Sequence, residues 1–139
     1  MAQLKPQHYT SQGRKLIRRS RRDDIVPYRT KDGSEIRELL HPAQHAARNQ
    51  SLAEASIPAG GRTQSHFHRH SEEIYHITRG TGTMTLGEET FAVEPGDSIL
   101  IPPGTPHCLE NTGQTALIVL CCCAPSYAHE DTFLLAGRD

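Results

Sequence analysis

The sequence contains no tryptophan, and aromatic residues make up only 5% of its 139 positions. A core must therefore come from Ile, Leu, Val and Ala rather than from large rings. Charge of one sign is also missing: the formal net charge is −1 with the nine histidines neutral. That removes any global bias towards nucleic acid or a membrane surface. The longest apolar run, 116–124, is too short to span a bilayer. The N-terminus has no apolar core segment of the secretory type. No stretch keeps a helical period over three turns, which argues against a helical bundle. The four cysteines (Cys108 and the consecutive Cys121, Cys122 and Cys123) lack the paired spacing of a disulfide framework. They read as reduced thiols in a cytoplasmic protein. In the trio, Cys121 and Cys123 share one face of a strand and Cys122 the other. The expectation is small buried strand residues, with one face able to approach a cavity.

What is present is punctuation. Nine prolines and eleven glycines divide the chain into short segments. Residues 1–24 are polar and carry Arg14, Lys15, Arg18, Arg19, Arg21 and Arg22, followed by Asp23 and Asp24. No aromatic side chains interleave with these arginines, so a solvated arm or subunit contact is expected ahead of a nucleic-acid patch. From Ile25 the pattern turns β-like, and Asp32-Gly33 is a hairpin-turn signal. Strands are expected at 35–40, 50–57, 62–68, 73–79, 82–86, 90–93, 98–101, 106–110 and 115–123. Many short strands with Gly/Pro turns argue for an all-β sandwich or barrel with few or no helices. The tail, 125–139, contains Phe133, Leu134 and Leu135, which need cover.

Two segments carry chemistry. The first, 60–80, reads GGRTQSHFHRHSEEIYHITRG. His66, His68 and His70 alternate, and alternate strand residues share a face about 6.6 Å apart. That spacing suits two imidazoles converging on one ion. Glu73 is at an odd offset, so the chain must turn between it and His68. Residues 69–72 have the length of a hairpin loop, and a hairpin would return Glu73 beside the histidines. The second segment, 96–111, reads GDSILIPPGTPHCLEN. Here His107 opens a strand after a Pro-Pro-Gly turn, and Asn111 ends it as a turn former.

Together these segments resemble the two motifs of the cupin superfamily. Gly60, His66, His68, Glu73 and Gly80 fill the fixed positions of G-x5-H-x-H-x4-E-x6-G. Gly96, Pro102, Gly104, His107 and Asn111 fill those of G-x5-P-x-G-x2-H-x3-N. The short gap between them, 81–95, is similar to that of small single-domain bacterial members. The resemblance covers about 50–124. It implies a double-stranded β-helix, a small jelly-roll barrel, formed by a single domain over 25–139 with its motifs at 60–111. It also implies that His66, His68, Glu73 and His107 bind one divalent transition metal. The mixed N/O set suits Fe, Mn, Ni, Co or Zn without choosing among them.

Other side chains fall in phase with that face. Arg62 and Gln64 share the phase of His66 and His68, as substrate-binding candidates. Tyr75 shares that of Glu73 and is a proton-donor candidate, with His70 as an alternative acid or base. His76 falls in the opposite phase and is expected outside. The functional expectation is a metal-dependent enzyme acting on a small oxygen-rich molecule: a 2-oxo acid, enediol, sugar acid or catechol-like compound. It would work as a dioxygenase or as an isomerase, lyase or decarboxylase. The alternatives are a non-catalytic ligand-binding or sensing module, and a storage cupin, against which the full ligand quartet argues. A homodimer is expected, with Ile25, Val26, Leu39, Leu40 and 133–135 as its apolar edge.

Overall fold

A computed structural model describes residues 17–135; Arg14 and Lys15 of the basic cluster lie outside them. Among the described residues the chain forms β1 (Tyr28–Arg29), β2 (Glu35–Leu40), β3 (Ser51–Ile57), β4 (His66–His68), β5 (Glu72–Arg79) and β6 (Gly82–Leu86). It continues through β7 (Glu89–Val93), β8 (Ser98–Ile101), β9 (His107–Asn111), β10 (Leu117–Ala124) and β11 (Thr132–Leu134). The helical content of the described residues is two single 3-10 turns, Arg22–Asp24 and His129–Asp131. Among the described residues no helix is long and apolar enough to cross a membrane.

The strands pair into two antiparallel sheets, ordered β1-β2-β3-β10-β5-β8 and β11-β4-β9-β6-β7. Strict alternation decides which way each strand faces. In β3 and β10 every odd-numbered residue from Ser51 to Cys123 in those strands is buried, and its neighbours are less so. The inward side chains of both sheets meet in a core of Ile77, Met84, Ile101, Leu109, Leu117 and Val119, each at most 1% exposed. This is the jelly-roll architecture in which short strands close on themselves.

Two motif features explain how the strands turn so tightly. Gly80 has φ +83°, and a Cβ there would sit 2.6 Å from the Ala116 carbonyl oxygen. Only glycine tolerates both demands. Asn111 forms the turn after β9 from a buried position. Its Nδ2 donates to the Ile57 and Thr115 carbonyls at 2.9 and 2.8 Å, and its Oδ1 accepts from Gly113 N–H at 2.9 Å. It ties the end of β9 to the end of β3.

The structure corrects two expectations about the first motif. The regular strand begins at His66, not at residue 62. Residues 62–65 are an irregular approach held by Thr63 N–H to the Leu109 carbonyl (3.0 Å) and Gln64 N–H to the Asp32 carbonyl (2.7 Å). The second correction concerns the turn after His68. β4 and β5 are not a hairpin, because they belong to different sheets. Residues 69–71 carry the chain from one sheet to the other. Asp131 holds this crossover by accepting from the His70 and Ser71 N–H groups at 2.9 and 3.1 Å. Glu73 therefore faces the histidines across the barrel, paired in its own sheet with Cys123 and Ile101.

Candidate metal centre

His66 and His68 come from β4 and His107 from β9, where His66 and His107 are register partners. All three rings are buried, between 1% and 4% exposed. One ring nitrogen of each lies within 4.8 Å of those of the other two. This is close to the spread available to nitrogens bound about 2.0–2.2 Å from a single ion. The opposite nitrogens are all engaged outward. His66 Nδ1 donates to the Gln64 carbonyl at 2.7 Å and His107 Nδ1 to the Thr105 carbonyl at 2.9 Å. His68 Nδ1 lies 3.0 Å from Thr132 Oγ1. That hydroxyl donates to the Ala128 carbonyl at 3.0 Å, so towards His68 it accepts. Carbonyls and an already-donating hydroxyl leave each Nδ1 as the N–H and each Nε2 as the inward lone pair, the arrangement that metal-binding imidazoles use.

Glu73 completes the cluster. Its Oε1 is 3.1 Å from His68 Nε2 and 3.5 Å from His107 Nε2. Yet Glu73 Oε1 and His107 Nε2 are buried with no aligned hydrogen bond. Two such atoms aimed at a common point are costly to leave unsatisfied, and a cation there would satisfy both. The other oxygen, Oε2, accepts from the Cys123 thiol at 3.4 Å. Burial keeps that thiol protonated, with the Glu73 charge adding to the effect. Cys123 is thus a fixed donor that orients Glu73, and Cys121 and Cys123 both line the cavity.

The protonation states suit cation binding. Burial, aided by His107, brings the His66 imidazole down to about 4, so it stays neutral. Burial opposes charge on Glu73, but the His107 and His68 rings outweigh it and hold the carboxyl well below its usual range. Burial would also lower His68, but the Glu73 carboxylate prevails and raises it. The donor set fits a divalent transition metal.

The ring cluster opens on a cavity of about 40 Å³. Ala53, Ala55, Ile57, Val119 and Leu109 form its apolar wall, and Tyr75 closes one side with its ring centroid 5.8 Å from that of His107. Burial and the Glu73 charge push the Tyr75 phenol well above its ordinary value, so it remains a donor. A wider groove of about 320 Å³ lies next to the cavity. It shares Tyr28, Glu38 and Tyr127 with the inner chamber, so these three form the partition between them.

Several candidate residues lie elsewhere. Arg62 and Gln64 are exposed and do not line the cavity. The irregular approach at 62–65 reverses their phase and turns Thr63 inward instead. His70 is exposed on the crossover, where Asp131 holds its backbone. His76 is half-buried outside the cavity, with Nδ1 2.8 Å from Ser98 Oγ.

Two cavity carboxylates were not singled out from the sequence. Asp32 lies in the turn between β1 and β2. Its Oδ1 accepts from Thr30 Oγ1 (2.7 Å), Ser34 N–H (2.9 Å) and Ser34 Oγ (2.6 Å). Its Oδ2 is 3.5 Å from His66 Nε2. The Thr-x-Asp-x-Ser alternation was the available signal, but Asp-Gly already accounted for the turn. Glu38 on β2 accepts from Tyr28 OH at 2.9 Å through Oε2, while Oε1 is buried without a partner. Burial raises its carboxyl above the ordinary range against the opposing effects of His41 and Tyr28.

Comparison with known proteins agrees with this architecture. The chain is 57% identical over 113 residues to an uncharacterized protein, MJ1618, of Methanocaldococcus jannaschii, spanning 81% of this chain and 90% of that one. Its fold matches that of a predicted oxalate decarboxylase from Thermotoga maritima with TM-score 0.67 and 26% identity, over 76% of this chain and 96% of that one. It also matches Pac13, described as a nucleoside dehydratase, with TM-score 0.66 over 83% of this chain and 88% of that one. At 17% identity that likeness concerns the fold alone. The cupin domain model matches residues 53–123, from β3 to β10 and through both histidine segments, and the chain belongs to the cupin family.

Proposed function

We propose that this cupin binds one divalent transition metal through His66, His68, Glu73 and His107 and catalyses proton transfer on a small oxygen-rich molecule, as an isomerase or lyase. The observation that carries the reading is the convergence of three Nε2 lone pairs with the unpartnered Glu73 Oε1, beside a second carboxylate, Asp32, that is free to act. A bound ion would polarise a ligand oxygen and acidify the adjacent C–H. Asp32 Oδ2 is then the proton acceptor, because the β1–β2 turn fixes the carboxylate by its other oxygen. The Tyr75 phenol, kept protonated by burial, donates to the oxygen on which negative charge develops. Ala53, Ala55, Ile57 and Val119 keep bulk water away from that oxygen. We also infer that the chain works as a homodimer.

Elemental analysis should find about one metal per chain, and none in the His66→Ala/His107→Ala chain. Unchanged metal in that variant removes the site assignment. Incubating the loaded protein with α-hydroxyketones in deuterated water, without oxygen, should exchange the C–H next to the carbonyl. In Asp32→Asn the exchange should slow by about 10²-fold or more. Consumption of dioxygen without exchange would replace this reading with oxidative cleavage. Full metal with neither outcome would leave a binding module.

A further inference from the structure

The charge of the cavity constrains its ligand more than its shape does. Three carboxyl groups, Asp32, Glu38 and Glu73, line it. Among the described residues no lysine or arginine does. Two cations of the surrounding loops, Lys31 and Arg69, are committed elsewhere. Lys31 Nζ donates to the His129 and Thr132 carbonyls at 3.1 and 2.8 Å. Arg69 lies over the Phe133 ring, 4.8 Å from its centroid. With a divalent ion on the histidines, Glu73 and Asp32 formally cancel its charge before Glu38 is counted. Beyond that ion, a ligand carboxylate would find no positively charged side chain in the cavity lining.

The remaining valences ask for donors. All three hydrogen bonds that position Asp32 end on Oδ1. That leaves Oδ2 towards the chamber beside His66. Glu38 is 5% exposed, and its Oε1 has no partner. It stands in the partition with Tyr28 and Tyr127, where a ligand reaching from the histidines towards the outer groove must pass. Both oxygens suit a hydroxyl or an ammonium group, and both repel a second carboxylate.

We propose that this cavity takes small carboxylate-free molecules that present hydroxyl or ammonium donors to Asp32 and Glu38, and that it discriminates against carboxylic acids. The inference rests on the metal-centre reading for the end of the ligand that faces the histidines. The charge selection belongs to Asp32 and Glu38.

The test uses matched pairs on the full chain after its metal content has been measured. Dihydroxyacetone differs from hydroxypyruvate by a hydroxymethyl in place of a carboxylate, and ethanolamine differs from glycolate by an ammoniomethyl group in place of one. The first pair tests the hydroxyl source of the donor and the second the ammonium source. Calorimetric titration, or the visible spectrum of the Co(II)-loaded protein, should show the carboxylate-free member of at least one pair binding about tenfold tighter or more. Glu38→Gln keeps the Tyr28 contact and touches no histidine. It should retain the metal and shrink that preference several-fold by improving the acid. Acids that bind as tightly as their partners in the unmodified chain would overturn the proposal. So would a preference unmoved by Glu38→Gln, or a metal-loaded chain that binds no member of either pair. A chain that takes up no metal overturns the metal reading alone. The charge order is then read on that metal-free protein, where it must persist.

Discussion

Thr132 holds the tautomer of His68. Its hydroxyl donates to Ala128 and so accepts from His68 Nδ1. Thr132→Val keeps the volume and removes that acceptor. Chelator competition should show metal affinity about 10–100-fold weaker, with Thr132→Ser close to the original. His66 gives the metal-free chain a pH dependence. Its imidazole takes a proton near 6.5 when unfolded and near 4 when folded. Between these values the unfolded chain binds more protons, so stability falls as pH drops. The contribution is complete above pH 6.5, lost as pH approaches 4, and about 3 kcal/mol at most. The depressed Glu73 carboxyl adds loss below its ordinary value of 4.5. The raised His68 acts in the opposite direction, contributing stability below 6.5 that fades as pH rises past its shifted value. Urea unfolding of chelator-treated protein at pH 7, 5.5 and 4.5 should show the decline, and His66→Gln should flatten its upper part.

At the scale of elements, the site depends on the crossover from β4 to β5. It turns His68 inward from one sheet and Glu73 inward from the other, and Asp131 accepts both of its central N–H groups. Asp131→Ala leaves two donors without a partner. Unfolding should cost about 0.5–1.5 kcal/mol less, metal affinity should fall with it, and Asp131→Asn, which keeps one acceptor, should lose less. Thermal melts with and without metal check both effects. This crossover also marks how far the sequence could be read. Strand period and turn residues were enough to place the strands from 73 to 123 within a residue or two, because alternation and glycine punctuation are local. The cupin motif positions of His66, His68, Glu73 and His107 picked out residues that the fold brings together. What stayed hidden depends on non-local contacts. The 62–65 approach looks like strand, and only its bonds to Asp32 and Leu109 reverse the phase of Arg62 and Gln64. Asp32, Glu38 and Thr132 reach the cavity because β1, β2 and β11 are added at sheet edges or close beside them. No spacing within the motifs encodes that.

For the whole molecule, the outer face of the larger sheet bears on the proposed homodimer. Leu40 pairs with Leu52, Leu52 with Cys122, Cys122 with Ile74 and Ile74 with Leu100. This register lays an outward apolar row across β2, β3, β10, β5 and β8, roughly 19 Å long at the usual strand spacing. Ile74 and Leu100, at its β8 end, are 44% and 54% exposed. The apolar edge expected around 133–135 is less available. Phe133 stacks on Phe67 at 5.3 Å with Arg69 over it, and Leu135 N–H bonds to the Ser65 carbonyl at 3.0 Å. Val26 and Leu134 are exposed singly on strands or loops of different sheets, and single exposed apolar residues call for no partner. A continuous row repeated in a second copy can meet itself about a two-fold axis. Sedimentation at micromolar concentration should give a dimer. Ile74→Lys and Leu100→Glu should each give a folded monomer with its metal content unchanged, because both side chains point away from the cavity. A wild-type monomer would remove the dimer. Dimers that survive both substitutions but separate on Val26→Asp would move the interface to the β1 edge.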